Sequence, residues 1–483
     1  MTNVFNNARD VDISNATFNV HTTTNTIDHH SSNNPEFDLL LHHCALAALA
    51  DAKERSNAPK CDPDTRREVM AEITNWITDD KATAEILWLH GSAGAGKTAL
   101  GQTLADLCRD AGRLLGAFFF SRTGIGQGDG STLVPTLAYQ LTLAYPGSKR
   151  VVVKHIREDP GIFQKNMKTQ MNKLVLTPLY QVQSSAPYRF KQFLGRVQPR
   201  VILVDGLDEC SYPNAQCELL EVFVSAAQDP RLPLRILFTS RQEAHITRSV
   251  NDTLAHGRTP IKQIDLSTDP NAPRDIRTFL EKQFREIRRI HSDTVADSWP
   301  VQADVEQLVK KSSGQFIYAA TVVDYIKSGR HSPSKRLQVV LGLSPRPTND
   351  SPFSQLDRLY HHILSCIPRQ MLSTALRIIG AIVAPRTSVG HAEMVHCPSP
   401  AMLECLLSLE RGDVRRHLSD VFSLFKVAGR HDPVEVLHES LPDFFFDPTR
   451  SGDFFIDMRQ VLQELSEGGS PARLGPSGDR CGE

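Results

Sequence analysis

The chain has 483 residues, room for roughly two to four domains, and its 54 basic and 55 acidic side chains nearly cancel. With 40% hydrophobic and 23% charged residues it has the composition of an ordinary globular protein, and nothing in that balance calls for a nucleic-acid or anionic-membrane partner. No apolar run is long enough to span a bilayer, the N-terminus MTNVFNNARDVDIS lacks an apolar signal core, and nine scattered cysteines form no C-x-x-C pair, so a reduced, cytoplasmic protein without a cysteine metal site is expected.

Residues 1–35 are rich in Asn, Thr and His, with brief apolar alternation at Val11, Ile13, Phe18 and Val20. Such a segment buries little surface and is expected to be disordered alone; pairing as β-strands with copies of itself is the alternative. Residues 37–55 (FDLLLHHCALAALADAKER) predict one helix. The pairs His29-His30, His42-His43 and His361-His362 project in different directions, so they predict solvated histidines rather than a metal site. A helix follows around Arg66 to Asp79.

Strands and helices then alternate. Strands are predicted at Glu85–His90, Gly116–Arg122, Arg200–Asp205, Leu234–Arg241 and Lys262–Leu266, with helices such as Ser131–Tyr145 and Ala215–Ala227 between them. Short continuous apolar runs such as VILV and RILF belong to strands buried on both faces of a parallel sheet. Directly after the first strand comes Gly91-Ser92-Ala93-Gly94-Ala95-Gly96-Lys97-Thr98, then Ala99 and a helical pattern to Cys108. This is the phosphate-binding (Walker A) pattern G-x-x-x-x-G-K-[ST] between strand and helix. Its glycines allow the tight turn that aims successive N–H groups at a phosphate, Lys97 reaches the β- and γ-phosphates, and Thr98 is placed to ligate Mg²⁺. The helix N-terminus adds its own affinity for an anion. The stretch GIGQGDG at 124–130 lacks the Lys and reads as a flexible loop.

The strand Arg200–Asp205 ends in Asp205-Gly206-Leu207-Asp208-Glu209. Asp205 sits at the carboxyl edge, where ligands bind in open α/β sheets, and is placed to hold Mg²⁺ opposite Thr98. Asp208 and Glu209 are candidates to orient an attacking water. The strand RILFTSR ends in Thr239, Ser240 and Arg241; either hydroxyl is placed to sense the γ-phosphate and Arg241 to neutralise it. Arg122, after FFFS, is a weaker candidate of the same kind.

Beyond 270 the pattern is helical, through 273–292, 301–327, 333–342, 354–366, 370–384, 400–409 and 413–426, with a linker at 343–352 and a strand-like run at Val434–Leu437. The Gly/Pro/Ser-rich tail from about 466 predicts disorder. The domain division expected is an N-terminal segment 1–57, a nucleotide-binding domain 58–267, a helical domain 268–345, a winged-helix domain 346–457 and a disordered tail 458–483. The fold class is an α/β P-loop NTPase domain with a parallel sheet, followed by all-α and winged-helix domains.

In combination, HGSAGAGKT, VILVDGLDEC and RILFTSR resemble the NACHT branch of the signal-transducing ATPases with numerous domains (STAND). The segments at 61–77, 133–141, 311–323 and 436–457 are similar, in order, to landmarks of NACHT proteins of mushroom-forming fungi. The resemblance covers roughly residues 58–457. It implies a slow ATP- or GTP-driven switch with Mg²⁺, closed with the diphosphate, open and self-associating with the triphosphate, and coupled to a protein sensor or effector, as in fungal self/non-self recognition or defence. It implies Thr65 and Arg66 near the base, Lys97 and Thr98 at phosphate and Mg²⁺, Asp205, Asp208 and Glu209 as the acidic cluster, and His438 on the diphosphate's β-phosphate. Two departures stand out. Gly314-Gln315-Phe316 occupies the place of a Gly-x-Pro turn that contacts the base in many relatives. Relatives also usually continue into WD, ankyrin or tetratricopeptide sensor repeats, which do not follow the winged-helix segment here; a short form, a truncated gene model and a regulator without its own sensor all fit. A phosphate-loop metabolite kinase and a scaffold that binds nucleotide without turnover are the competing functions.

Overall fold

The computed structural model describes residues 34–79, 84–122, 126–185, 200–229, 232, 234–257, 259–327, 332–342, 354–384, 398–438 and 440–468. The segment 1–33, the 343–352 linker and the end of the tail lie outside them. Five strands, β1 (Ile86–His90), β2 (Leu114–Phe119), β3 (Val201–Asp205), β4 (Arg235–Ser240) and β5 (Ile261–Asp265), form one parallel sheet in the order β2-β3-β4-β1-β5. All five predicted strands are present, within two or three residues at each end.

The alternation within each strand feeds two cores. Ile86, Trp88, Ile202, Val204, Ile236 and Phe238 face one layer of helices; Leu87, Leu89, Val201, Leu203 and Leu237 face the other. The first layer holds α1 (Pro35–His42), α4 (Leu133–Ala144), α5 (Ser148–Glu158), α6 (Met167–Gln170), α7 (Thr177–Gln183), α8 (Pro213–Ala227) and α9 (Ala244–Ala255). The second holds α2 (Arg67–Thr78) and α3 (Lys97–Asp110), the helix that begins at the phosphate-binding loop. Burial on both faces explains why the strands read as unbroken apolar runs.

The predicted helix at 37–55 is a correction. The helix α1 ends at His42, and two short 3₁₀ turns follow at Leu46–Ala48 and Lys53–Arg55. The chain leaves the helix so that Ala45 N–H can bond Thr136 Oγ1 at 2.9 Å inside the core. Tertiary hydrogen bonding overrides a good helical pattern there. Residues 126–130 are also more than a loose loop: Ser211 N–H bonds Gly128 O at 2.9 Å, and a Cβ on Gly130 would lie 3.1 Å from Cys210 Sγ.

The second half contains α10 (Ala272–Ile290), α11 (Gln302–Ser312), α12 (Phe316–Lys327), α13 (Pro333–Gly342), α14 (Ser354–Leu364), α15 (Arg369–Val383), α16 (Pro400–Leu406), α17 (Asp413–Leu418), α18 (Ser440–Phe445), α19 (Pro448–Ser451) and α20 (Met458–Gly468). The expected helix 301–327 is two helices. Left-handed backbone at Ser313 (φ 48°) and Gly314 (φ 80°) breaks it and turns α12 toward the sheet. The expected helix 413–426 stops early: residues 419–421 form a 3₁₀ turn and Phe425–Lys426 (β6) pairs antiparallel with Glu435–Val436 (β7) in a two-stranded ribbon. The start of the expected disordered tail is also corrected, since α20 packs on α15. Gly380 leaves room there for Val461, and Arg377 pairs with Glu464 at 3.0 Å. One continuous core runs from Ile276 to Leu465. Among the described residues no single helix is long and apolar enough to cross a membrane.

Leu40 of α1 is fully buried in the core of the α/β half. Leu40→Ala should therefore destabilise that half by about 2–5 kcal/mol, read as a lowered denaturation midpoint. An unchanged midpoint would show that α1 is not part of this body.

Candidate functional site

The carboxyl ends of all five strands meet at one edge of the sheet, and the residues singled out in the sequence collect there. The loop Gly91–Gly96 leaves β1 and enters α3 with positive φ at Gly94 (76°) and Gly96 (93°), which glycine tolerates at low cost. Five of its carbonyls are taken by the protein. Gly91 O and Ser92 O accept from Lys97 Nζ at 2.9 and 3.0 Å. Gly94 O accepts from Ile317 N–H at 3.2 Å, Ala95 O from Arg66 Nη2 at 2.8 Å and Gly96 O from Leu100 N–H at 3.0 Å. With these carbonyls bonded inside the protein, the loop N–H groups not used internally and the Lys97 ammonium are left to face a ligand. Ser92 N–H is anchored on Ser267 Oγ at 3.0 Å, and Thr103 Oγ1 bonds Ala99 O at 2.8 Å in the first turns of α3. Ala93 and Ala95 are buried.

The acidic side of the site is equally well defined. Asp205 is buried and accepts from Thr239 Oγ1 at 2.7 Å and from the Thr98 hydroxyl. The two expected Mg²⁺ ligands, Thr98 and Asp205, are thus in direct contact. Burial pushes the Asp205 carboxyl above its ordinary range, opposed by the two hydroxyls and by the charges of Arg55 and Lys97. A divalent cation at this point would restore the charged form, so the donor set fits Mg²⁺. Gly101 is required on α3, because a Cβ there would lie 2.9 Å from Asp205 Oδ1.

Thr239 and Ser240 are corrected as phosphate sensors. Thr239 is fully buried between Asp205 and Gly206 N–H, whose bond to Thr239 Oγ1 is 2.9 Å. Ser240 accepts from Trp88 Nε1 at 2.8 Å and donates to Arg241 O at 2.8 Å. Both hydroxyls shape the edge from below.

Asp208, Glu209 and Arg241 come together with Arg122. Asp208 Oδ1 accepts from Arg241 N–H at 3.0 Å and Oδ2 lies 3.2 Å from Arg241 Nε. Glu209 Oε2 accepts from Arg122 N–H at 3.3 Å. Arg241 and Arg122 both also meet Asp443 of α18. Burial opposes the Arg241 charge, but the neighbouring Asp443 and Asp208 carboxylates outweigh it and raise its pKa.

Arg66 has left-handed backbone (φ 56°) and 2% exposure. Its guanidinium joins Ala95 O to Asp269, its N–H bonds Asp275 Oδ2 at 2.8 Å, and it lies 4.9 Å from the centre of the Phe316 ring. Thr65 turns its hydroxyl onto Asp62 O at 2.9 Å. His438 is buried in the helical half. Its Nε2 is 3.2 Å from Ser423 O and 3.3 Å from Thr321 Oγ1. Because Thr321 already donates to Ile317 O at 2.7 Å, the Nε2 proton belongs to His438. A chain of hydrogen bonds therefore links Gly94 to Ile317, Thr321 and His438.

Four participants are silent in the sequence. Arg55 donates to Gln102 Oε1 at 2.9 and 3.1 Å and stacks 3.6 Å over Phe119, next to Asp205. Gln102 likewise carries no motif, and the landmark segments 311–323 and 436–457 that contain Ile317 and Asp443 do not single those residues out; the fold brings all four to the site.

Residues 69–241 match the family model described as Nephrocystin 3, N-terminal. No curated protein matches. Solved structures similar to the chain include the Aeropyrum pernix ORC2 protein in ADPNP–ADP complexes (12% identity, 86% of this chain and 96% of that one, TM-score 0.36). Others are the A. pernix ORC1 protein in complex with DNA (14%, 85% and 94%, 0.32) and Drosophila ORC bound to poly(dA/dT) DNA and Cdc6 (12%, 85% and 70%, 0.27). At these values the likeness says nothing of what this chain binds.

Burial pushes the His438 imidazole down to about 4 from 6.5. A base with a depressed folded pKa stabilises the fold above its unfolded pKa, and that stability is lost as pH falls through the window from about 6.5 to about 4. The loss should be on the order of 3 kcal/mol. Denaturation midpoints across this window should fall more steeply for the wild type than for His438→Gln; parallel profiles would refute the assignment. The loop, the acidic strand end and the parallel sheet together make this the nucleotide-binding site of a P-loop α/β domain.

Proposed function

We propose that the protein is a NACHT-type nucleotide switch that binds ATP or GTP with Mg²⁺, hydrolyses it slowly and changes between closed and open arrangements. The observation that carries this reading is the grip of the helical half on the phosphate-binding loop. Ile317, at the start of α12, bonds Gly94 O, and its side chain fills the space a Cβ on Gly94 would need. Arg66 joins the same loop to Asp269, just ahead of α10, and Asp275 within it. A phosphate loop held in this way cannot adjust to its ligand without disturbing the helical half.

Lys97 and the loop N–H groups would hold the β- and γ-phosphates, and Thr98 with Asp205 the metal. Bound Mg²⁺ would neutralise charge on the phosphoryl oxygens. Thr65 and Arg66 would border the base. Asp208 and Glu209 would act on an attacking water once released from Arg241 and Arg122. The resemblance to fungal NACHT proteins extends the reading to self-association with triphosphate, to an unidentified protein sensor or effector and to a defence role. Binding without turnover is the second reading, favoured by one observation: in this conformation Asp208 is spent on Arg241 and Glu209 on the Arg122 backbone.

Lys97→Ala should weaken nucleotide binding at least about a hundredfold by titration calorimetry, since it removes the loop's only ammonium. Retained micromolar affinity would sink the site assignment. Glu209→Gln should accumulate a triphosphate-bound assembly larger than the wild type by light scattering. A monomer unchanged by triphosphate would count against the switch in favour of simple binding.

A further inference from the structure

Two arginines stand at the carboxyl edge of the sheet, Arg122 after β2 and Arg241 after β4. Both turn to one carboxylate from the other half of the molecule. Arg241 Nη1 pairs with Asp443 Oδ2, and Arg122 Nη1 lies 3.4 Å from Asp443 Oδ1. Asp443 therefore offers one oxygen to each guanidinium. Guanidinium forks suit phosphate oxygens as well as they suit carboxylates. Asp208 also touches Arg241, but it belongs to the same sheet edge and fixes the Arg241 backbone as well as its side chain. Asp443 alone arrives from a separate element.

The local charges set up a competition. Arg122 and Arg241 are balanced by Asp208 and Glu209 within the edge itself. A third carboxylate makes the cluster acidic, and a further anion is then repelled while Asp443 stays. Asp443 is also not free to swing away by itself. Its neighbours Phe444 and Phe445 are fully buried, and Ser440 Oγ lies 3.0 Å from the Tyr360 hydroxyl. Withdrawing the carboxylate thus shifts the docking of α18 as a whole.

We propose that Asp443 is the intramolecular occupant of a two-arginine anion site formed by Arg122 and Arg241, and that the terminal phosphate of a nucleoside triphosphate is its competitor. The inference rests on the nucleotide reading above and adds to it the group whose release the third phosphate causes. A diphosphate lacks the competing group and leaves α18 docked. By reciprocity, any change that frees Asp443 strengthens triphosphate binding.

The test compares a non-hydrolysable triphosphate analogue with the diphosphate, both with Mg²⁺, on the full chain by titration calorimetry. Asp443→Asn keeps the shape and removes the charge. It should tighten triphosphate binding about tenfold and diphosphate binding by no more than about twofold. An equal gain for both, or no gain, overturns the proposal. Hydrogen exchange on the wild type gives a second arm should the variant not fold: residues 440–445 should exchange faster with the triphosphate analogue than with the diphosphate, and equal exchange overturns it. Lys97→Ala separates the two levels. Wild-type protein that binds neither nucleotide, or Lys97→Ala that binds both as well as wild type, defeats the nucleotide reading itself. Normal binding with no effect of Asp443→Asn defeats only the Asp443 assignment.

Discussion

A guanidinium removed from water is tolerated only when its charge is paired and its hydrogens are bonded. Arg66 meets most of that demand by drawing together parts of the chain that are far apart in sequence: its two Nη groups reach Ala95 O of the phosphate-binding loop and the carboxylate of Asp269, its own backbone N–H is taken by Asp275, and its Nε is left without a hydrogen-bond partner among the described residues. The left-handed backbone at Arg66 is part of the same arrangement, because the residue caps α2 while its side chain turns to the loop. Removing any one partner would leave a buried charge, a buried carbonyl or a buried N–H unpaired. The loop, the start of α10 and α2 therefore keep a fixed relation. The contact of Ile317 with Gly94, and through Thr321 with His438, continues that relation into the C-terminal core.

The same logic of compensation runs along the sheet edge. Asp205 is buried, and burial alone would neutralise it; two hydroxyls and two neighbouring cations pull the other way. Arg241 is surrounded by carboxylates that favour its charge. Each group is held by partners that differ in origin: Thr98 from the loop, Arg55 from the N-terminal turns, Asp443 from the C-terminal half. Ligand charge at this edge would therefore be felt in three parts of the molecule. Buried and half-buried pairs of this kind keep their strength in salt better than surface pairs do.

How much of this was legible in the sequence follows from the range of each interaction. The five strands were readable because each is an apolar run closed by turn residues, and the loop because its spacing is local. Asp205, Asp208 and Arg241 were readable as strand ends. The roles of Thr239 and Ser240 were misread because a hydroxyl at a strand end looks the same whether it points up to a ligand or down to Asp205 and Trp88. The helix at 37–55 was misread because Thr136, which captures Ala45 N–H, lies in another element. Arg55 and Gln102 had no local signal at all, and the landmark segments that contain Ile317 and Asp443 did not single those residues out. Their partners are set by domain docking, which no periodicity encodes.

The turn Gly314-Gln315-Phe316 shows how a departure from pattern can keep a contact and change its chemistry. The backbone at Ser313 and Gly314 is left-handed, which ends α11 and aims α12 at the sheet edge without a proline. Phe316 then lies over the Arg66 guanidinium, and Ile317 donates its N–H to Gly94 O while its side chain closes on the same glycine. A proline would fix φ locally but would bring no N–H to its own position. Here the phenyl ring and the branched side chain act on the loop and on Arg66, the residue that already fixes the loop to the helical half. The turn and the buried arginine thus reinforce one another, and the segment that stands where many relatives have a Gly-x-Pro turn holds the phosphate-binding loop.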